Sequence, residues 1–306
     1  MSYTVTRYSD ATALLAAAEP FLLQREALNG LLLSAARTQQ RAAPRRRRRP
    51  LYVTVTGPAG PTLVALTSAG QRLLLADNHA SADEALDALV AALREEPRAL
   101  TTVFAEETLA RRFVSRYATA IGQQITLVER QQLLELTAVA LPPRLPQGRL
   151  RAATIRESDL LADWLTAFQD ETAGHAGGDD SGDDRHAVDI IVDGLIARKD
   201  VYVWDVGSGT RSRPVAMAAR ARPTARGIAL SLVYTPPEER RRGYATACVA
   251  HLSHLLLDDA WAFCTLLADP ARVSTETFLG RIGYRPVADF AAYRFDPPLA
   301  EVAQGR

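Results

Sequence analysis

The segment that most limits how this chain can fold is Ile228 to Asp258: a strand stopped by two prolines, a basic turn, and a helix. Ile228, Leu230 and Leu232 alternate with smaller residues at the period of a half-buried strand. Pro236-Pro237 end the ladder because neither can donate a backbone N–H. The turn Glu238-Glu239-Arg240-Arg241-Arg242-Gly243 follows, and Tyr244, Cys248, Leu252, Leu255 and Leu256 then recur at helical spacing, so Gly243 stands where a helix opens. The first turn of a helix carries N–H groups without partners at the positive end of the macrodipole, so the pattern predicts an anion site, a phosphate above all. Gly243 permits close approach of the backbone, and three arginines add charge and donors matched to phosphate oxygens. Taken alone, the same residues also read as a solvated charged loop.

The run Val233-Tyr234-Thr235-Pro236-Pro237-Glu238-Glu239-Arg240-Arg241-Arg242-Gly243-Tyr244-Ala245 resembles the acyl-CoA-binding motif of the GNAT superfamily of N-acyltransferases. That motif is Arg or Gln, two residues, Gly, one residue, then Gly or Ala; Arg240, Gly243 and Ala245 fill its defined places, and Arg241 stands where many members carry another Gly. Downstream, Arg281-Ile282-Gly283-Tyr284-Arg285-Pro286-Val287 resembles the Gly-Tyr or Gly-Phe signature with which such domains enter their last strands. The resemblance implies an α/β fold with a mixed sheet and acetyl-CoA as cosubstrate. It places the backbone of Leu232, Val233 and Tyr234 along the pantetheine arm. Arg240, Arg241, Arg242, Gly243, Tyr244 and Ala245 would surround the pyrophosphate, with Arg240, Arg242 and the amides near Gly243 holding it.

The same resemblance implies a tyrosine in the final helix to protonate the leaving thiolate. Counting back from Gly283-Tyr284, its place is held by Leu279, which cannot donate a proton. Ser274, Thr275 and Thr277 are the nearest hydroxyls, and as helix residues they can instead bond backbone carbonyls. A general base is unassigned: Glu171 is one candidate, in an acidic, glycine-rich stretch with Asp170, His175, Asp179 and Asp180 where family members contact the acceptor. Such a loop suits a cationic amine and equally reads as plain solvated chain.

The order of predicted elements repeats. Both halves read strand, two helices, three strands, helix, strand, helix, strand, and Ala140-Leu141-Pro142-Pro143-Arg144-Leu145-Pro146-Gln147-Gly148 has a linker's composition. This predicts two tandem GNAT-like domains: residues 1–139, a 140–148 linker, and 149–306 with the acyl-CoA motif. In the first half the turn corresponding to the motif is Ala76-Asp77-Asn78-His79-Ala80-Ser81, without glycine or arginine, so that half is expected to be a degenerate copy kept as scaffold.

Composition excludes more than it identifies. A net charge of +1 gives no global attraction for nucleic acid or acidic membrane, and the arginine run 45–49, flanked by prolines and lacking interleaved aromatics, reads as a solvated loop. No apolar run approaches the ~18 residues of a membrane span, and the first residues lack a signal peptide's layout, so a cytoplasmic location is expected. Cys248 and Cys264 sit in apolar segments and read as buried thiols. His251 and His254 lack a third ligand nearby and read as surface residues, so no metal is expected. Two functions fit: an N-acetyltransferase acting on a small-molecule or protein amine by direct attack in a ternary complex, or a non-catalytic acyl-CoA-binding regulatory or interaction module.

Overall fold

The structure, a computed structural model, describes residues 2–41, 50–67, 72–78, 82–96, 100–173, 185–270 and 278–296. The arginine run at 45–49, the acidic stretch with His175, Asp179 and Asp180, and Ser274, Thr275 and Thr277 lie outside the described residues. The chain forms two compact units, residues 1–132 with 288–306 and residues 133–287.

In chain order the elements of the first half are β1 (Thr4–Arg7), α1 (Ala11–Leu23), α2 (Glu26–Arg41), β2 (Tyr52–Gly57), β3 (Gly60–Thr67), β4 (Arg72–Asp77), α3 (Asp83–Arg94), β5 (Thr102–Glu106), α4 (Glu107–Ile121) and β6 (Gln124–Leu136). Those of the second are β7 (Arg149–Ala152), α5 (Ser158–Ala173), α6 (Arg185–Ala197), β8 (Val201–Val206), β9 (Arg213–Ala221), β10 (Gly227–Tyr234), α7 (Tyr244–Asp258), β11 (Phe263–Ala268), α8 (Phe278–Ile282) and β12 (Arg285–Asp296). The repeat of element order read from the sequence is therefore present.

Local chemistry explains several boundaries. Asp10 caps α1 by accepting the Ala13 N–H at 2.9 Å, as its position before an apolar run predicts. In the first unit Val53, Val55, Leu63, Ala65, Leu73 and Leu75 supply one strand face to α3 and α4, whose Leu86, Leu89, Leu109 and Phe113 fill a common core. In the second unit two layers flank the sheet. Trp204, Ile228, Leu230, Cys264 and Leu266 pack with α7, and Val201, Val203, Met217 and Ala219 pack with α5 and α6. The adjacent Val203 and Trp204 fall in opposite layers, the period-two signature of a strand covered on both faces.

The last strand is the exception to chain order. β12 pairs antiparallel with β5, from Phe290↔Glu106 to Arg294↔Thr102, and Ala291, Tyr293 and Phe295 are buried in the core of the first unit. The residues expected to close the second domain thus complete the first. At roughly 1.5–3 kcal/mol for each large apolar side chain buried, Tyr293 and Phe295 supply enough burial to fix that pairing. Residues 140–148, linker-like in composition, are also docked within the second unit: the Ala140 N–H donates to the Ile282 carbonyl at 2.8 Å, and Leu145 packs against the α7 core.

Candidate functional site

β10 begins as a regular strand, antiparallel to β9 and parallel to β11. Its parallel register runs from Gly227↔Phe263 to Leu230↔Leu266; beyond it, among the described residues, β10 continues to Tyr234 without a pair on β11. On the other side the register slips: Ser231 faces Ala219 but Tyr234 faces Met217, so β10 spends one residue more than β9 over the same interval. That is a β-bulge, and Leu232 carries it in the left-handed region at φ 50°. The extra residue reverses the alternation. Ile228 and Leu230 pack with α7, whereas Leu232 and Tyr234 pack with α5 and α6. The sequence pattern assigned Leu232 to the face of Ile228 and Leu230; the bulge moves it to the other. A strand edge without a pair on β11, as at Ser231–Tyr234, is what an extended, amide-bearing ligand would pair with.

Past Tyr234 the chain makes a short 3-10 turn at Pro237–Glu239 and enters α7. Gly243 is the N-cap at φ 82°, and Arg241 is also left-handed at φ 62°. Left-handed residues in such a turn let successive N–H groups converge on one anion. An added Cβ at Gly243 would meet nothing nearer than Pro146 at 3.5 Å, so the glycine is required by its backbone hand and leaves the approach to the helix open. No side chain caps α7 and its first turn has no acidic residue, so the amides of Tyr244 and Ala245 have neither a capping oxygen nor a competing carboxylate there. Arg241 occupies a backbone conformation that glycine takes at less cost, which matches the glycine many GNAT motifs carry at that place.

The three arginines differ in their partners. Arg240 donates to Glu171 Oε1 at 2.5 Å and to the Thr235 carbonyl at 2.9 Å, and its guanidinium lies 5.7 Å from the Tyr234 ring centroid. Arg242 pairs at 3.0 Å with Glu239, a buried carboxylate that also holds Arg213 at 2.7 Å. Arg241 is exposed and makes no hydrogen bond or ion pair among the described residues. The Thr235 hydroxyl, one residue beyond the strand, is buried without a hydrogen-bond partner in the described structure.

The remaining candidates are placed clearly. Leu279 is 2% exposed, packed in the α7 core with Ile282 and Tyr284, so a leucine at this place is a core residue. Tyr284 is buried, its hydroxyl 2.9 Å from Ser253 Oγ, and burial pushes its pKa far above the ordinary tyrosine range, with Cys264 adding to the shift and Ser253 opposing it. Gly283 before it is left-handed at φ 110°, and an added Cβ would lie 2.8 Å from the Ala138 carbonyl, which accounts for the Gly-Tyr pair as a packing signature. Tyr234 is buried against Trp164, with ring centroids 6.1 Å apart; burial raises its pKa, Glu171 adds to the shift and Arg240 opposes it. Burial pushes the thiols of Cys248 and Cys264 up to about 12, so neither is a nucleophile at neutral pH. His251 is half-buried beside the Trp204 ring at 5.1 Å, not a surface residue, and burial and His254 lower its pKa; His254 is exposed and faces Asp258 at 3.5 Å. No cluster of metal-ligating side chains occurs among the described residues.

A cleft of about 530 Å³ in the first unit, lined by Glu106, Arg111, Arg112, Arg116 and Asp289 among others, is not part of this constellation. Its guanidiniums are already matched by carboxylates: Arg111 by Glu107 at 2.5 Å, Arg112 and Arg116 by Asp83 at 2.7 Å.

No protein-family model matches the chain, and none of the curated proteins compared with it does. Among solved structures it is similar to an acetyltransferase of the GNAT family from Colwellia psychrerythraea, with 8% identity, a TM-score of 0.55, and coverage of 96% of this chain and 100% of that one. A Drosophila protein gives 14% identity and a TM-score of 0.63 over 97% of this chain and 100% of that one. A GCN5-related N-acetyltransferase from Kribbella flavida gives 20% identity and a TM-score of 0.51 over 90% and 98%. The likeness is one of fold: the chain has the mixed α/β architecture of GNAT acetyltransferases, in two units.

Proposed function

We propose that the second unit is an acyl-CoA-dependent N-acyltransferase domain, transferring an acetyl group from acetyl-CoA to an amine, and that the first unit is its scaffold. One observation carries the reading. Past Leu230 the strand leaves β11, bulges at Leu232 and leads directly into a turn with left-handed Arg241 and Gly243 at an uncapped, acid-free helix start. An extended amide-bearing arm and a pyrophosphate fit that pair of features in the order in which they occur in coenzyme A. The backbone of Leu232, Val233 and Tyr234 would face the arm. Arg241 and the amides of Arg242, Gly243, Tyr244 and Ala245 would face the pyrophosphate.

The reaction needs a neutral amine, which attacks the thioester carbonyl; the C–N bond forms, the C–S bond breaks, nitrogen gives up a proton and sulfur takes one. Leu279 has no proton to give, and the Tyr284 hydroxyl is sequestered with Ser253. The proton for sulfur therefore comes from water or from a group other than these two. A thiol with a pKa near 8.5 is an undemanding leaving group, so loss of a positioned acid slows the step by on the order of a hundredfold without forbidding it. The locked Tyr284 and the core Leu279 also favour a second reading, an acyl-CoA-binding module without turnover. No helix among the described residues is long and apolar enough to cross a membrane.

Calorimetry with acetyl-CoA followed by a thiol-release assay over small-molecule and peptide amines tests both. One binding site per chain with slow transfer to at least one amine supports the enzyme. Binding without transfer to any amine supports the module, and absence of binding removes both.

A further inference from the structure

Arg240 is the first residue of the motif-like turn, yet its guanidinium is committed elsewhere. It bonds Glu171 near the end of α5 and the Thr235 carbonyl just before the turn, and lies over Tyr234. These contacts join three pieces of the second unit: the helix that leads into the acidic stretch, the end of the bulged strand, and the turn itself. The first unit holds a tie at the corresponding place, where the sequence has neither glycine nor arginine. There Asn78, directly after β4, donates to the Phe21 carbonyl at 2.6 Å and to Gln24 Oε1 at 2.8 Å, at the end of α1. In each unit a side chain following the fourth strand is bonded to the end of the first helix. The two ties differ in chemistry and in distance from the strand, but each fastens the segment after the fourth strand to the end of the first helix by protein groups alone.

Resting on the acyl-CoA reading above, we propose that Arg240 is a positioning residue, acting through Glu171 to hold the turn in its binding shape, and that Arg241 is the guanidinium that meets phosphate. Arg242, fixed to Glu239, braces the other side of the turn. The tie also couples the acyl-CoA turn to α5, so that the two sides of the site order together.

The two roles for Arg240 predict opposite signs. If Glu171 competes with phosphate for Arg240, Glu171→Gln frees the arginine and tightens acetyl-CoA binding. If the pair is a brace, Glu171→Gln and Arg240→Gln each weaken binding by about fivefold, the scale of a half-exposed ion pair, and the double variant is no weaker than the worse single one. Calorimetry with acetyl-CoA on the full chain reads this, with melting temperatures expected to move by no more than about 2 °C. Tighter or unchanged binding in Glu171→Gln, with loss in Arg240→Gln, overturns the proposal. Amide hydrogen exchange across 240–247 in the ligand-free protein supplies a second arm. Both variants should exchange faster there than the wild type, and unchanged exchange overturns the brace. A wild type that fails to bind acetyl-CoA defeats the functional reading, and the exchange arm still decides the brace.

Discussion

The fourth strand and the helix after it occur once in each unit, and they have diverged in opposite directions. β4 keeps an unbroken register with β3 from Leu63↔Asp77 to Thr67↔Leu73, whereas β10 bulges at Leu232. Both strands leave their parallel neighbour early, β4 after Leu74↔Phe104 and β10 after Leu230↔Leu266. Splaying is therefore common to the two units, and the bulge is not. The helices differ in the same sense. The first turn of α3 carries Asp83 and Glu84, with Arg112 and Arg116 gathered onto Asp83, while α7 starts at a left-handed glycine with no acid. Carboxylates in a first turn use the positive end of the dipole for the protein's own stability; a bare first turn leaves it for a ligand. On the function proposed above, the same fold serves as scaffold in one unit and as site in the other, and a few residues after one strand make the difference.

The sharpest way to break this comparison is to block the turn in one unit and its counterpart in the other. Gly243→Val should lower acetyl-CoA affinity by more than about a hundredfold, because a β-branched residue is strained at φ 82° and its side chain occupies the approach to the amides. Ala82→Val, at the N-cap of α3, should leave affinity unchanged. Equal losses in the two variants would show that both units bind.

Phe295→Ala tests which unit owns the last strand. The ring is buried in the first unit's core and edge-on to Tyr117 at 5.1 Å, so its loss should cost about 3 kcal/mol and appear in denaturant unfolding followed by hydrogen exchange of β2 to β5. Destabilisation confined to residues 133–287 would reassign the strand.

A smaller effect separates buried from exposed charge. Asp205 is 1% exposed; burial alone would raise its pKa, but Arg151, Ser212 and Arg149 hold it below the usual carboxylate value. Its folded value being depressed, it contributes stability that is complete above the unfolded pKa of about 3.9 and is lost as pH falls through the folded value. Asp205→Asn should cost about 2 kcal/mol at neutral pH and flatten the acid limb of the stability curve. Asp83→Asn, in the first unit's exposed cluster, should change neutral-pH stability too little to resolve.

The finest test concerns Arg241. Arg241→Gly removes one unpaired cation and a left-handed non-glycine residue, so acetyl-CoA affinity should fall about tenfold while stability rises by up to ~1 kcal/mol. Unchanged affinity would return the phosphate contact to Arg240 or Arg242. Leu279→Tyr, the substitution that the family pattern invites, would force a phenol into a packed core position and cost about 1–3 kcal/mol, so restored activity is not expected from it.

Much of this was legible in the residues. Asp10 before an apolar run reads as a cap, Pro236-Pro237 as the end of a strand, Gly243 as the start of a helix, and the repeated element order as two related halves. Each rests on interactions within a few residues: a missing N–H, a missing Cβ, a side chain reaching the next turn. Three things were decided only when distant segments met. The bulge at Leu232 exists because β10 is matched to β9 across a fixed interval, and Ser231-Leu232-Val233 by itself carries no mark of it. The partner of β12 was settled by the apolar face of Ala291, Tyr293 and Phe295 finding β5, almost two hundred residues earlier, since burial rewards any strand that completes a core and takes no account of sequence order. The role of Arg240 was set by Glu171, which the fold brings within reach from α5, whereas Arg242 takes a local partner, Glu239, three residues before it. Short-range sterics determine which elements form; long-range burial and charge pairing determine which side chains remain available for a ligand.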